Sequence, residues 1–117
     1  MTYEEVVDKV RSVYENADAR DIFEHIAVQI NIVGEGSGAF YLEVAQRNIC
    51  VEPYDYHDRD GLITASAQTL CDIADQNISF LDAYEQGALK YEGNMEKLHI
   101  LAKIRLPEKK KGKNKKV

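Results

Sequence analysis

Tyr3, Val6, Val7, Val10, Val13 and Tyr14 recur every three or four residues, while Glu4, Asp8, Arg11 and Glu15 fall on the other side. That spacing predicts an amphipathic helix lying on a core. Asn16-Ala17-Asp18 ends it. From Ile26 the period changes to two: Ile26, Val28, Ile30 and Ile32 alternate with Ala27, Gln29 and Asn31, the pattern of a strand with one buried face. Gly34-Glu35-Gly36-Ser37-Gly38 turns the chain into a second alternating run, Phe40, Leu42 and Val44. A third run around Ile49 and Val51 stops near Pro53. Three successive strands on short loops predict an antiparallel meander. A polar loop, Tyr54 to Gly61, separates it from a fourth strand at Leu62 to Ala65.

The pattern then becomes helical again. Ser66 is placed to cap a helix carrying Leu70, Ile73 and Ala74. The stretch from Phe80 to Leu101 reads as an apolar helix, a Gly break, a short strand, a Gly-Asn break and a final apolar helix. Ser79 and Asn94 stand where a side-chain oxygen can accept an orphan backbone N–H. Gly87 and Gly93 bracket the strand. Two apolar helices folded back around one strand predict a hydrophobic pouch without a catalytic group in it. The last helix is apolar on more than one face: Met95, Leu98, Leu101 and Ala102 share a side, and Ile100 and Ile104 lie nearly opposite. Periodicity leaves a ligand, a dimer partner or another helix as the neighbour of that second set. Leu106-Pro107 closes the folded part, since a residue before proline is pushed out of the helical region.

Gln86-Gly87-Ala88-Leu89-Lys90-Tyr91-Glu92-Gly93-Asn94-Met95 resembles the Q-G-x-L-x-x-x-G-N-M signature of the sterol carrier protein type 2 domain family at the same spacing. Leu62-Ile63-Thr64-Ala65-Ser66, followed by Leu70, Ile73 and Ala74, is similar to that family's strand and capped helix. The resemblance extends from Tyr3 to about Leu106 and is densest in the last third. It implies a small carrier of sterols, fatty acids and fatty acyl-CoA that holds the lipid tail between sheet and helices, with the final helix as a movable wall. Carried over, it places Leu70, Ile73, Phe80, Leu81, Tyr84, Leu89, Met95, Leu98, Leu101 and Ala102 against the lipid, with Gln86 as a polar contact. The expected fold is α+β: a mixed, mostly antiparallel five-stranded sheet covered by helices, with an internal hydrophobic tunnel.

Length and charge narrow the picture. A chain of 117 residues makes one domain with one core; residues 1–106 are expected to fold and 107–117 to form a disordered basic tail. Residues 1–102 hold 7 Lys and Arg against 19 Asp and Glu, a balance of −12, whereas residues 103–117 hold 8 basic against 1 acidic. An acidic body repels phosphate, which argues against nucleic acid as a partner. Lys109, Lys110, Lys111, Lys113, Lys115 and Lys116 are candidates for transient contact with an anionic membrane, with a ceiling of roughly 6 kcal/mol at about 1 kcal/mol each before salt screening. There is no run of about 18 apolar residues, and Met-Thr-Tyr-Glu-Glu lacks the character of a signal peptide, so a cytoplasmic location is expected. The ending Lys-Lys-Val gives no support to the peroxisomal address common in the family. Cys50 and Cys71 have no metal or redox spacing, and reduced core thiols are expected.

No other motif carries chemistry. With Gly61 set as the invariant glycine of a calcium loop, positions 1 and 12 become Tyr56 and Ala67, and two essential oxygen ligands are missing. His25, His57 and His99 are scattered, no serine sits in a nucleophile elbow, and Gly34-x-Gly36-x-Gly38 is not a dinucleotide fingerprint. Neither cofactor nor metal is expected, and the protein is expected not to be an enzyme. An empty pouch of about 300 Å³ at roughly 24 cal/mol per Å³ costs about 7 kcal/mol. Small domains have about 5 to 15 kcal/mol in all, so the pouch is expected to collapse or to fill. The expected function is non-covalent binding and transfer of a lipid by a monomer or weak homodimer. The alternatives are a dimerisation or interaction module using the C-terminal helix, and an accessory domain presenting acyl-CoA to an enzyme.

Overall fold

The computed structural model describes residues 1–54 and 58–107. In chain order these form α1 (Tyr3–Tyr14), β1 (Ile26–Val33), β2 (Gly38–Ala45), β3 (Asn48–Glu52), β4 (Gly61–Ser66), α2 (Ala67–Ala74), α3 (Phe80–Glu85), β5 (Leu89–Gly93) and α4 (Met95–Ala102). The six tail lysines, and His57 with its neighbours Asp55 and Tyr56, lie outside the described residues.

One sheet holds all five strands in the order β3-β2-β1-β4-β5. The meander β1-β2-β3 is antiparallel, β4 returns to lie parallel to β1 on its other side, and β5 adds antiparallel to β4. The sheet is therefore mixed and mostly antiparallel, as the alternating pattern and the resemblance imply. Register aligns the apolar positions into rows across the strands: Phe40, Ile30 and Ile63 form one, and Ile32, Ala65 and Leu89 another. Because side chains alternate along a strand, these rows share one face, and the apolar stripes of the four helices join them in a single core. α1 packs on α2 and β3, and α3 on β5 and α4.

Local signals start the helices. Thr2 and Glu5 form a reciprocal capping box at α1, with Glu5 N donating to Thr2 Oγ1 at 3.1 Å and Thr2 N to Glu5 Oε1 at 2.8 Å. Ser66, Ser79 and Asn94 cap α2, α3 and α4 as their positions predict. The polar face of α1 also protects the edge strand β3. Arg11 Nε donates to the Val51 carbonyl at 3.0 Å, and the Val51 N–H donates to Glu15 Oε2 at 2.9 Å, so the free backbone groups of that edge residue are occupied.

Two features depart from the sequence pattern. α4 stops at Ala102 with Lys103 as its cap, so Ile104 does not stand on the helix opposite Leu98. It lies buried in the extended segment that follows, and only the half-buried Ile100 remains on the second face of α4. The loop before β4, read from the sequence as a polar connection, contains a structural residue. Asp60 exchanges two bonds with Ala27, accepting its N–H on Oδ2 at 2.9 Å and donating N–H to its carbonyl at 2.7 Å, and its own carbonyl accepts from Asn94 N at 3.1 Å.

Gly93 passes this junction at φ +132°, a conformation that side chains rarely adopt, and a Cβ there would meet the Asp60 carbonyl oxygen and come within 2.6 Å of Gly61 Cα. Gly93→Ala is accordingly expected to destabilise the fold by about 2 to 4 kcal/mol, from backbone strain and forced separation of β5 from the Asp60 turn. Urea unfolding measures it, and an unchanged midpoint would show that the junction yields freely.

Candidate functional site: a cleft between two connecting segments

Two irregular segments face one another beside the C-terminal end of α1: residues 75–79, between α2 and α3, and residues 103–107, after α4. Between them opens a cleft of about 310 Å³. Its apolar wall is made by Tyr14, Ile73, Ile78, Phe80, Ala102, Ile104 and Leu106, and polar groups of Gln76, Asn77, Ser79 and Asp82 stand around it. Other hollows of similar size differ in character. One of about 290 Å³ is edged by Asp18, Asp21, Glu24, Lys103 and Arg105, and one of about 360 Å³ lies at the surface between Val33, Glu35 and Gln68. The first is set apart because its wall runs directly into the core.

Each wall has a local cause. α2 ends in a Schellman-type turn: Gln76 N–H bonds to the Ile73 carbonyl and Asn77 N–H to that of Asp72. The same motif ends α3 with Gly87 in the left-handed position at φ +82°, whereas at α2 that position holds Gln76 at φ +65°. A glutamine there carries strain that glycine avoids. Its side chain explains the choice, because Gln76 Nε2 donates to the Pro107 carbonyl across the cleft. The opposite segment is held a second time, where Asp18 N–H donates to the Arg105 carbonyl at 2.8 Å in an isolated β-bridge. Tyr14 and Phe80 meet at the floor with ring centroids 5.8 Å apart and planes at 51°, a favourable tilted contact.

The residues expected to face a lipid divide into three groups. Ile73, Phe80 and Ala102 line this cleft. Leu70, Leu89, Leu98 and Leu101 lie in the core beneath it, each at most 2% exposed. Leu81 is half-buried, while Tyr84, Gln86 and Met95 are exposed and do not line the cleft. The signature segment has a structural account: Gln86 is the cap of α3, Gly87 the left-handed turn, Leu89 a core strand residue, Gly93 the close crossing, Asn94 the cap of α4 and Met95 its first residue. Tyr14, Ile78 and Leu106 are not singled out from the sequence as site residues, and Ile104 stands there only in the second apolar set of the last helix, with a ligand as one of three possible neighbours. The strict heptad-like spacing of Tyr14 with Val7 and Val10 reads as ordinary core, and nothing local foretold that the chain after α4 would fold back beside it.

Electrostatics around the cleft are simple. Burial pushes the Tyr14 phenol well above its ordinary value, so it keeps its proton. Hydrogen bonds from Arg20 hold Asp18 at about 2. Away from the cleft, Glu15, Cys50 and Glu52 each place one potential ligand atom within 4.8 Å of the others. That cluster serves the sheet edge: Glu15 holds the Val51 N–H, and the Cys50 thiol donates to Glu52 at 3.4 Å and is pushed up to about 11, chiefly by burial. Both cysteines are free thiols.

Residues 8–104, from within α1 to the segment after α4, match the SCP-2 sterol transfer family. The chain belongs to this family. No curated protein sequence matches it. Among solved structures it is similar to sterol carrier protein-2 like-3 from Aedes aegypti, with a TM-score of 0.61 at 16% identity over 85% of this chain and 92% of that one. The ubiquinone synthesis protein UbiJ-SCP2 is similar at a TM-score of 0.61 and 16% identity, over 86% of this chain and 89% of that one. The sec-alkylsulfatase Pisa1 from Pseudomonas sp. shares the fold at a TM-score of 0.62 and 14% identity, and there this chain spans 87% of itself but 14% of the sulfatase. The fold therefore occurs both as a small unit and as one part of a larger enzyme. Among the described residues no helix is long and apolar enough to cross a membrane.

The anchor at Asp18 is open to titration. Its folded value of about 2 lies below the ordinary 3.8, so its stabilising contribution is present above about pH 4 and is lost as pH falls through about 2. Melting of wild type and Asp18→Asn is expected to differ at neutral pH and to converge between about pH 4 and pH 2. A gap of constant size down to pH 2 would remove Asp18 from the account.

Proposed function

We propose that the protein binds and transfers a hydrophobic small molecule, a fatty acid, fatty acyl-CoA or sterol-like lipid, without chemical change to it. The observation that carries this reading is a cleft whose apolar wall is continuous with the core, in a chain of the SCP-2 sterol transfer family. The tail of the ligand lies against Ile73, Phe80 and Ala102. It extends toward Leu70, Leu89, Leu98 and Leu101 in a tunnel that forms as α4 and the segment after it move aside, with Leu81, Tyr84, Gln86 and Met95 at the outer margin. The mobile wall is plausible in energetic terms, since Gln76 and Asp18 hold that segment by only a few hydrogen bonds, each of net value about 1 kcal/mol. Affinity comes from apolar burial at roughly 0.8 kcal/mol per methylene. The alternative of a dimerisation helix has less to stand on, because Leu98 and Leu101 of α4 are committed to the protein's own core.

Native mass spectrometry of the purified protein is expected to show a one-to-one lipid adduct. Ligand at about 100 times its Kd should raise the melting temperature by roughly 10 °C. Ala102→Trp, which fills the cleft from the half-buried margin of α4, should abolish both effects while leaving the protein folded. An adduct and a thermal shift that survive this substitution would place the ligand elsewhere.

For the basic tail we propose transient docking on anionic membrane during loading, in the cytoplasm. Deleting residues 108–117 is expected to slow transfer from anionic vesicles several-fold and to leave affinity for a soluble ligand unchanged, the contrast vanishing at high salt. Equal transfer rates for the two proteins would remove the tail from the mechanism.

A further inference from the structure

Of the polar residues that line the cleft, Tyr14 is the most buried. The residue is 3% exposed, its ring is fixed against Phe80, and among the described residues its hydroxyl has no hydrogen-bond partner. Every described side-chain nitrogen or oxygen that is wholly shut from solvent does have a partner, so the Tyr14 oxygen keeps some access to solvent, and Tyr14 is a lining residue of the cleft. A ligand that covers this hydroxyl without bonding it leaves a desolvated donor unpaired, at a cost of about 1 to 3 kcal/mol that a ligand oxygen avoids. The surrounding chemistry limits what that oxygen belongs to. None of the described lining residues is Lys, Arg or His, and the charged side chain among them is the acidic Asp82. A carboxylate or phosphate placed here would give up its hydration with no cation to meet it, and would face a like charge.

We propose that Tyr14 is a specificity-determining residue that hydrogen-bonds the head of the bound lipid, and that the cleft selects an uncharged oxygen-bearing head, a hydroxyl or carbonyl, over a carboxylate. The proposal rests on the carrier reading above and narrows its ligand class. The phenol donates to the ligand oxygen, and Gln76, Asn77 and Asp82 at the margin offer further hydrogen bonds to a neutral head. Hydrogen-bond discrimination of this kind is strong because the rejected ligand leaves a buried polar group unpaired.

A matched probe pair tests it: pyrenyldodecanol and pyrenyldodecanoate, titrated by fluorescence into the full chain at neutral pH. The alcohol is expected to bind about tenfold more tightly than the acid. Tyr14→Phe should lower affinity for the alcohol about tenfold, leave the acid unchanged, and melt at or above the wild-type temperature, since no bond within the protein is lost; a residue of structural role alone would lower the melting temperature instead. Asp82→Lys, at an exposed position, should raise affinity for the acid several-fold and carries the test should Tyr14→Phe fail to fold. Equal or tighter binding of the acid by wild type, or alcohol binding indifferent to Tyr14→Phe, overturns the proposal and leaves the carrier reading intact. Saturable binding of neither probe overturns the carrier reading, and the proposal with it.

Discussion

The architecture hangs on one aspartate. Asp60 bonds both backbone groups of Ala27 and receives the N–H of Asn94, so a single residue joins the first strand, the start of the fourth and the cap of the last helix. Parallel pairing of β1 with β4 has no hairpin to enforce it, because the whole β2-β3 excursion lies between them, and a distant pairing of this kind must be fixed by contacts at its ends. Once it is fixed, β5 and α4 are delivered to the same side of the sheet as α1 and α2. The cleft is the seam left where the α1–α2 and α3–α4 pairs and their connecting segments meet.

The division of labour along the C-terminal half follows from that seam. The family-like segment Gln86 to Met95 provides helix cap, left-handed turn, core leucine, close crossing and second cap, all of them framework. The walls of the cleft come instead from its flanks: the end of α1, the α2–α3 turn and the extended residues after α4. A signature that recognises this fold is thus a statement about how the chain turns twice in a short space, which any ligand of the fold requires equally. Tyr14 and Asp82, to which we assign ligand discrimination as a proposal, lie outside it among the cleft's lining residues.

Strain and restraint are concentrated on the same wall. Gln76 occupies a left-handed position that glycine would fill at lower cost, and its amide ties Pro107. Asp18 ties Arg105 through backbone and is itself held by Arg20. These are surface attachments of modest strength, unlike the fully buried rows under the sheet. A segment that closes over apolar space and is fastened by few, partly solvated bonds sits at the low end of local stability, where opening is cheap relative to global unfolding.

Much of the fold could be read along the chain because its signals are local. Alternation in Ile26 to Ile32 and Phe40 to Val44 encodes buried strand faces, and Ser66, Ser79 and Asn94 encode helix starts, since each acts on backbone within a few residues. Charge segregation and the Gln86 to Met95 pattern were likewise visible without coordinates. The tertiary structure decided the rest: that Asp60 is a junction within the polar loop, that Ile104 leaves the helix to wall a cleft, and that Tyr14 has a hydroxyl without a partner among the described residues, at the end of an otherwise ordinary apolar stripe. Helical periodicity reports which residues are buried and is silent on what they are buried against. That second property depends on chain segments nearly a hundred residues apart being brought together by the sheet, and no local pattern contains it.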